Sequence, residues 1–385
     1  MLNISFLRDA RNRAIFFQVI AIAVIFFIGN FLYSNVSANL ERQNIASGFG
    51  FFSKEAGFEI AESLISYGSQ DSYLKALFVG ALNTVKVSLI GNIFAILLGI
   101  IIGVMRLSPN WLISKLSKGY IEIIRNIPLL LQLYFVYAIF VDVFPSVRQA
   151  LNPLYGFYFS NRGVVLPSVS DHPANNWIIL AHLIGLVGSY FWFRKCKKIF
   201  ELTGEMKARF FPSLLLIFIP PILVWAGYGF PLTWDIPQLT GFNFSGGITI
   251  SPEFSSLLVG LVLYTSAFNA EIVRSGINSV KKGQVEAAKA LGLKPRLTLS
   301  LIVLPQALRV IIPPLTSQVL NLTKNSSLAV AIAYPDFLNV SNTALNQTGQ
   351  AIEIISLVII VYLSFSLISS LFMNWYNKKV ALVER

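Results

Sequence analysis

Eight apolar stretches, at about residues 14–34, 82–105, 123–144, 177–193, 211–230, 254–272, 301–322 and 352–374, partition this 385-residue chain. Each approaches or exceeds the ~20 residues with which an α-helix crosses a bilayer; the fourth is the shortest. Backbone in hydrocarbon must satisfy its own amide groups, so helices are the expected way across. The expected fold is an all-α polytopic membrane protein of about eight transmembrane helices. Only 12% of the residues are charged, against the ~25% usual in soluble domains.

With eight spans both termini lie on one side, and the charges say which. Both termini and segments 106–125, 194–209 and 271–309 carry 23 of the 30 Lys and Arg residues. The opposite side holds Arg42, Lys54, Lys75, Arg148, Arg162 and Lys324, with 11 of the 18 acids. Such asymmetry places the basic side, and both ends, in the cytoplasm. It also accounts for the net charge of +12 without a nucleic-acid partner, since no basic face with interleaved aromatics occurs. The lone Cys196 excludes an intrachain disulfide, and His172 and His182 stand without the carboxylates or thiols of a metal site. Arg8, Arg11 and Arg13 precede the first span like a signal peptide's basic region, and Val36-Ser37-Ala38 is a weak cleavage match. The apolar run is longer than a signal core of about 7–15 residues, so an uncleaved anchor is expected.

The spans group into four parts. Residues 1–75 are an anchor helix and an acidic outer segment. Residues 76–145 hold the first part of a core, and 146–253 look like an insertion of two loops around a helix pair. Residues 254–385 complete the core.

Between the sixth and seventh of these stretches sits a basic elbow, EAAKALGLKPRLTLSLIVLP at 286–305. Ala287 and Ala288 keep a short helix slim, Gly292 can end it in the left-handed conformation, and Pro295 can open the next. Glu286 can pair with a basic partner or cap a helix end. On its own this reads equally well as an ordinary turn between helices. No phosphate-binding loop of the form GxxxxGK[ST] occurs, so an ATP-driven process would need its ATPase on another chain.

The pattern of Glu286, Ala287, Ala288 and Gly292 followed by Leu304-Pro305 resembles the EAA loop of permease subunits of bacterial ABC importers. YTSAFNAEIVRSGINSVKKGQVEAAKALGL and LPQALRVIIPPLTSQVLNLTKNSSLAVAIAYPDF are similar to the polar amino acid uptake group. RLSPNWLISKLSKGYIEIIRNIPLLLQ, SNRGVVLP and the inserted helix pair resemble its general L-amino-acid permease branch. The resemblance implies a type I importer permease core with an N-terminal anchor and an inserted helix pair. It further implies a second homologous permease, two ATPase subunits and a periplasmic amino-acid-binding protein. This chain would then be a non-catalytic subunit holding no cofactor, with ATP and Mg on the ATPase. Gly283, Gln284, Glu286, Ala287, Ala288 and Gly292 are the coupling positions that the resemblance carries over.

Polar groups at membrane depth are costly unless paired or functional. Gln318, Asn321, Lys324, Asn325, Ser326 and Ser327 close the seventh span, and a helix interrupted there would offer half-helix ends to a carboxylate. The alternative is a Lys324 that snorkels to the interface while the serines cap a helix. Glu271 and Arg274, three apart, read as a local pair or as a gate or subunit contact. Pro128 starts or kinks the third span, and Gln132 is a candidate for facing a partner subunit. Gly91, Gly99 and Gly103 suit close helix packing. An ion-coupled secondary transporter is the alternative function; it would show an inverted repeat or paired intramembrane carboxylates, and neither is found in the sequence.

Overall fold

A computed structural model describes residues 10–42, 47–170, 172–203, 210–230 and 233–380. Arg8, Asp171, Lys207, Arg209 and Arg385, which enter the charge asymmetry, lie outside the described residues. The chain forms two compact units, residues 1–136 with 256–385, and residues 137–255. Seven helices among the described residues are long and apolar enough to span a membrane, and a bent pair is the eighth candidate.

In the first unit, helix α1 (Ala10–Arg42) exposes every described side chain, as a helix surrounded by lipid would. A 3₁₀ turn at Phe49–Ser53 and the segment after it fold back onto the core: Phe51 and Ala56 are buried with Tyr73, Leu77, Phe337 and Ile354. The Asp71 carboxylate accepts from Lys75 Nζ at 2.7 Å and from the Gly68 amide at 3.0 Å. The ammonium, first, holds this carboxyl below the usual range. Helix α2 (Tyr73–Arg106) therefore starts well before the apolar stretch at 82, capped by Ser72, whose Oγ accepts from the Lys75 amide at 3.4 Å.

The stretch 123–144 is not one straight span. Helix α3 (Trp111–Asn126), capped by Asn110 Oδ1, stops at Ile127, held extended by the following proline. Helix α4 (Leu129–Ala138) leaves at 106° and runs through a π turn to Val143. Gln132 is buried in the bend and donates from Nε2 to the carbonyls of Ile124 and Ile127, each at 2.8 Å. Those are carbonyls a helix end leaves unpaired. Its donor is thus spent within the subunit, which corrects the expectation that Gln132 faces a partner or gate.

Helix α7 (Pro252–Asn278) packs on α2 through glycines. A Cβ on Gly99 would stand 2.4 Å from Asn269 Cβ, and one on Gly103 would stand 2.7 Å from the Ala270 carbonyl. This is the close packing expected of that glycine row. Asn269 Nδ2 donates to the Ala95 carbonyl at 3.1 Å, and the Tyr120 hydroxyl ties α3 to α7 by donating to the Leu263 carbonyl at 2.8 Å.

After α7 come α8 (Lys282–Ala290), α9 (Pro295–Thr298), a π segment at Leu299–Val303 and α10 (Leu304–Asn325). A 3₁₀ tail at Ser326–Ile332 leads to α11 (Phe337–Thr348) and α12 (Ala351–Val380). Asp336 joins these parts. Its Oδ1 accepts from the Asn339 amide at 2.8 Å and its Oδ2 from the Tyr362 hydroxyl at 2.8 Å. Beside it the Phe337 amide donates to Thr84 Oγ1 at 2.9 Å. Asp336 is fully buried between the spans, and that burial pushes its carboxyl up to about 7.

The second unit is partly β. Strands β1 (Leu151–Leu154), β2 (Phe157–Ser160) and β3 (Gly163–Leu166) and the last strand, β8 (Ile248–Ile250), form an antiparallel sheet in the order β1-β2-β3-β8. Strands β4 (Ser168–Val169) and β5 (Trp234–Asp235) pair, as do β6 (Gln238–Thr240) and β7 (Asn243–Ser245). The two Gly/Pro/Asn-rich loops of the sequence are thus ordered by hairpins. Helices α5 (Pro173–Thr203) and α6 (Phe210–Gly227) pack tightly where Gly185 faces the Leu216 carbonyl.

Candidate functional site

The elbow folds as a short helix packed against α9 and the π segment at Leu299–Val303. Helix α8 ends on Leu291, and Gly292 follows at φ +73°. The Gly292 amide donates to the Lys289 carbonyl at 2.9 Å, and the Leu293 amide to the Ala288 carbonyl at 3.1 Å. These two bonds make a Schellman stop, in which glycine is favoured because a Cβ strains the left-handed conformation. Pro295 then opens α9 at its first position. Ala288 is the buried residue of α8 and seats it, whereas Gly283, Gln284, Glu286 and Ala287 are exposed. Nothing lies within 4 Å of the place where a Cβ on Gly283 or Gly292 would be. Leu291, not singled out in the sequence, is 80% exposed at the tip. Pro305 has no amide to give the preceding turn, and the π segment Leu299–Val303 lies just before it.

The polar positions of α10 do not flank a helix break. At Asn325 the α-helix tightens into the 3₁₀ tail with no gap, so the free half-helix ends expected there do not exist. The Ser326 hydroxyl donates to the Thr323 carbonyl at 2.8 Å and is fully buried; the Ser327 hydroxyl donates to the Lys324 carbonyl at 2.8 Å. Both hydroxyls are local braces. Gln318, Asn321 and Asn325 fall within roughly 60° of one another around α10, with Lys324 next to them; Asn321 and Lys324 are exposed.

Glu271 and Arg274 form a two-pronged pair, Nε to Oε2 at 3.0 Å and Nη2 to Oε1 at 2.5 Å. Glu271 lies against a cavity of about 340 Å³ whose lining includes Arg125, Phe268, Pro314 and Gln318. The structure therefore brings Glu271 and Gln318, predicted separately, to one cleft between α7 and α10, with Arg274 on the adjoining cavity. It leaves the α8 positions apart from that cleft in sequence and lining.

Residues 207–382 match the family described as binding-protein-dependent transport system inner membrane component. A general L-amino acid transport system permease protein of Rhizobium johnstonii is 47% identical over 377 residues, covering 98% of this chain and 94% of the relative. A putative amino-acid ABC transporter permease protein of Escherichia coli is 47% identical over 97% of this chain and 95% of its own length. A glutamate/glutamine/aspartate/asparagine transport system permease protein of Rhodobacter capsulatus is 40% identical over 98% of this chain and 96% of its own. This breadth of similarity leaves no room for the ion-coupled secondary transporter. From its membrane helices and its relatives, the chain belongs to the binding-protein-dependent inner membrane components, as a multi-pass permease of an ABC importer.

Proposed function

We propose that this permease carries L-amino acids, delivered by a periplasmic binding protein. It works beside a second, homologous permease and two ATPase subunits, which hold the ATP and Mg. Both termini and α8 face the cytoplasm. The observation that carries the coupling role is the exposed, glycine-stopped helix α8, with Ala287 and Leu291 bare and Ala288 seating it. A groove on an ATPase can accept such a helix because its small side chains let backbones approach. Gly283, Gln284 and Glu286 supply the exposed polar contacts, and Gly292 fixes the angle between α8 and α9.

ATP binding brings the two ATPases together, the coupling helices follow, and the permease pair opens outward beneath the docked binding protein. ATP hydrolysis reverses the motion. The stripe Gln318, Asn321, Lys324 and Asn325 on α10 lines the path, with the Glu271–Arg274 pair at its cytoplasmic end. Ser326 and Ser327 brace the stripe.

The test is to purify the importer from co-expressed neighbouring genes and measure uptake into proteoliposomes. Gly292→Pro imposes φ near −65° where the stop needs +73°. Uptake should fall at least tenfold while the chain stays in the membrane. Normal uptake by Gly292→Pro, or purification with no ATPase attached, would refute the coupling role. Lys324→Met that leaves affinity and rate unchanged removes Lys324 from the path.

A further inference from the structure

Charged side chains crowd one end of α2, α3 and α7. Arg106, Lys118, Glu122, Arg125, Glu271 and Arg274 line a cavity of about 220 Å³ over Ile121. Each oxygen of Glu271 accepts one bond from Arg274, which leaves a lone-pair site on each, and Glu122 stands 3.4 Å from Lys118. Two guanidiniums remain. Arg106 donates to the Ser114 hydroxyl at 2.9 Å, and Arg125 lies over the Phe268 ring, 5.0 Å from its centre. Among the described residues neither has a carboxylate at ion-pair distance. The cavity's four cations outnumber its two carboxylates, and guanidinium forks facing such an excess suit an oxyanion.

The surroundings say which oxyanion. Arg125 and Glu271 line this cavity and also the neighbouring one, where Phe268, Pro314 and Gln318 offer an apolar wall and an amide. A cation pair, a carboxylate and a mixed apolar wall in sequence match a carboxylate, an ammonium and a side chain. A lipid headgroup fits less well. The exposed apolar stripe of α3, Leu112, Leu116 and Ile123, lies roughly 120–180° around the helix from Arg125 and Lys118. Acyl chains along that stripe would leave their phosphate on the far side of α3.

We propose that this cleft is an exit site that binds an amino acid from the cytoplasmic side, Arg106 and Arg125 taking the α-carboxylate and Glu271 the α-ammonium. The proposal rests on the amino-acid cargo proposed above. An amino acid held here keeps the importer's inner mouth occupied, so a full cytoplasmic pool slows further uptake.

The assembled importer, in nanodiscs of neutral phosphatidylcholine and without binding protein, is titrated with tritiated L-leucine and L-glutamine. Unlabelled L-amino acids and their α-amides serve as competitors. Wild type should bind, the α-amides should not compete, and Arg106→Gln and Arg125→Gln should each weaken binding at least tenfold while co-eluting with the ATPase. Undiminished binding in both variants, or equal competition by the α-amides, overturns the proposal. So does displacement of label by added phosphatidylglycerol, which would mark a headgroup site. Proteoliposome uptake with loaded binding protein separates the two readings. Uptake without binding at the cleft overturns the exit site alone, and absence of uptake for every amino acid overturns the cargo reading as well.

Discussion

Replacing Gly99 by alanine adds one methyl group where α2 and α7 touch. The new Cβ would stand 2.4 Å from Asn269 Cβ, 3.1 Å from the Ser266 carbonyl and 3.3 Å from the Ala270 amide. Two carbons are at ease near 3.5–4.0 Å, so the helices must part by about 1 Å. Overpacking of this kind costs about 1–3 kcal/mol. Parting also stretches the bond from Asn269 Nδ2 to the Ala95 carbonyl, now 3.1 Å. Leaving such a buried group unmet costs about 1–3 kcal/mol more. Alanine returns about 0.5–1 kcal/mol as the better helix former, so the net loss is about 1–5 kcal/mol. Gly119→Ala is the control: that glycine is in α3 with nothing within 4 Å of a Cβ, and the change should stabilise by about 0.5–1 kcal/mol. Unfolding of the purified permease in mild detergent, titrated with dodecyl sulfate and followed by circular dichroism, measures both. Gly99→Ala within 0.5 kcal/mol of wild type would refute the close-packing argument, since no flexible side-chain end is there to give way.

Asp336 makes stability depend on pH, because its carboxyl sits near 7 when folded against an ordinary 3.8. The folded chain holds a proton that the unfolded chain releases, so stability should fall as pH rises from about 4 to about 7 and level off above. Melting at pH 6 should exceed melting at pH 8 in wild type, and Asp336→Asn should flatten that difference. Gln132→Leu strips the Ile124 and Ile127 carbonyls of their donor and should cost about 1–3 kcal/mol in the same detergent titration. Leu291→Asp, at a tip that is 80% exposed, should leave melting unchanged within about 0.5 kcal/mol while lowering recovery of ATPase in affinity purification.

Length of apolar run made the spans legible, and the Gly292 stop could be read because glycine and proline leave few backbone choices. The glycine row of α2 was equally plain, since small residues at helical spacing have one main use inside a membrane. What stayed hidden depends on contacts between residues distant in sequence. Nothing local distinguishes a Gln132 that faces a partner from one that closes a bend; its carbonyl partners are set by Pro128 and the 106° turn. Ser326 and Ser327 looked like a break because polar runs interrupt hydropathy, yet a hydroxyl can satisfy its own helix three residues back. Arg106 and Arg125 passed as topological charge, and their meeting over one cavity appears only once α3 lies across α2 and α7. The strands of 151–250 are two to four residues long, too short for an alternating pattern to register.

The π segment at Leu299–Val303 accommodates an extra residue between α8 and α10. If that residue were drawn back into regular α geometry, everything on one side would turn by roughly 100° and shift by about 1.5 Å relative to the other. A push on α8 would then reach the span as a twist, delivered where the helix already has slack. The polar stripe from Gln318 to Asn325 would swing to face a different neighbour without breaking the helix, as a key turns its bit while the shaft stays whole.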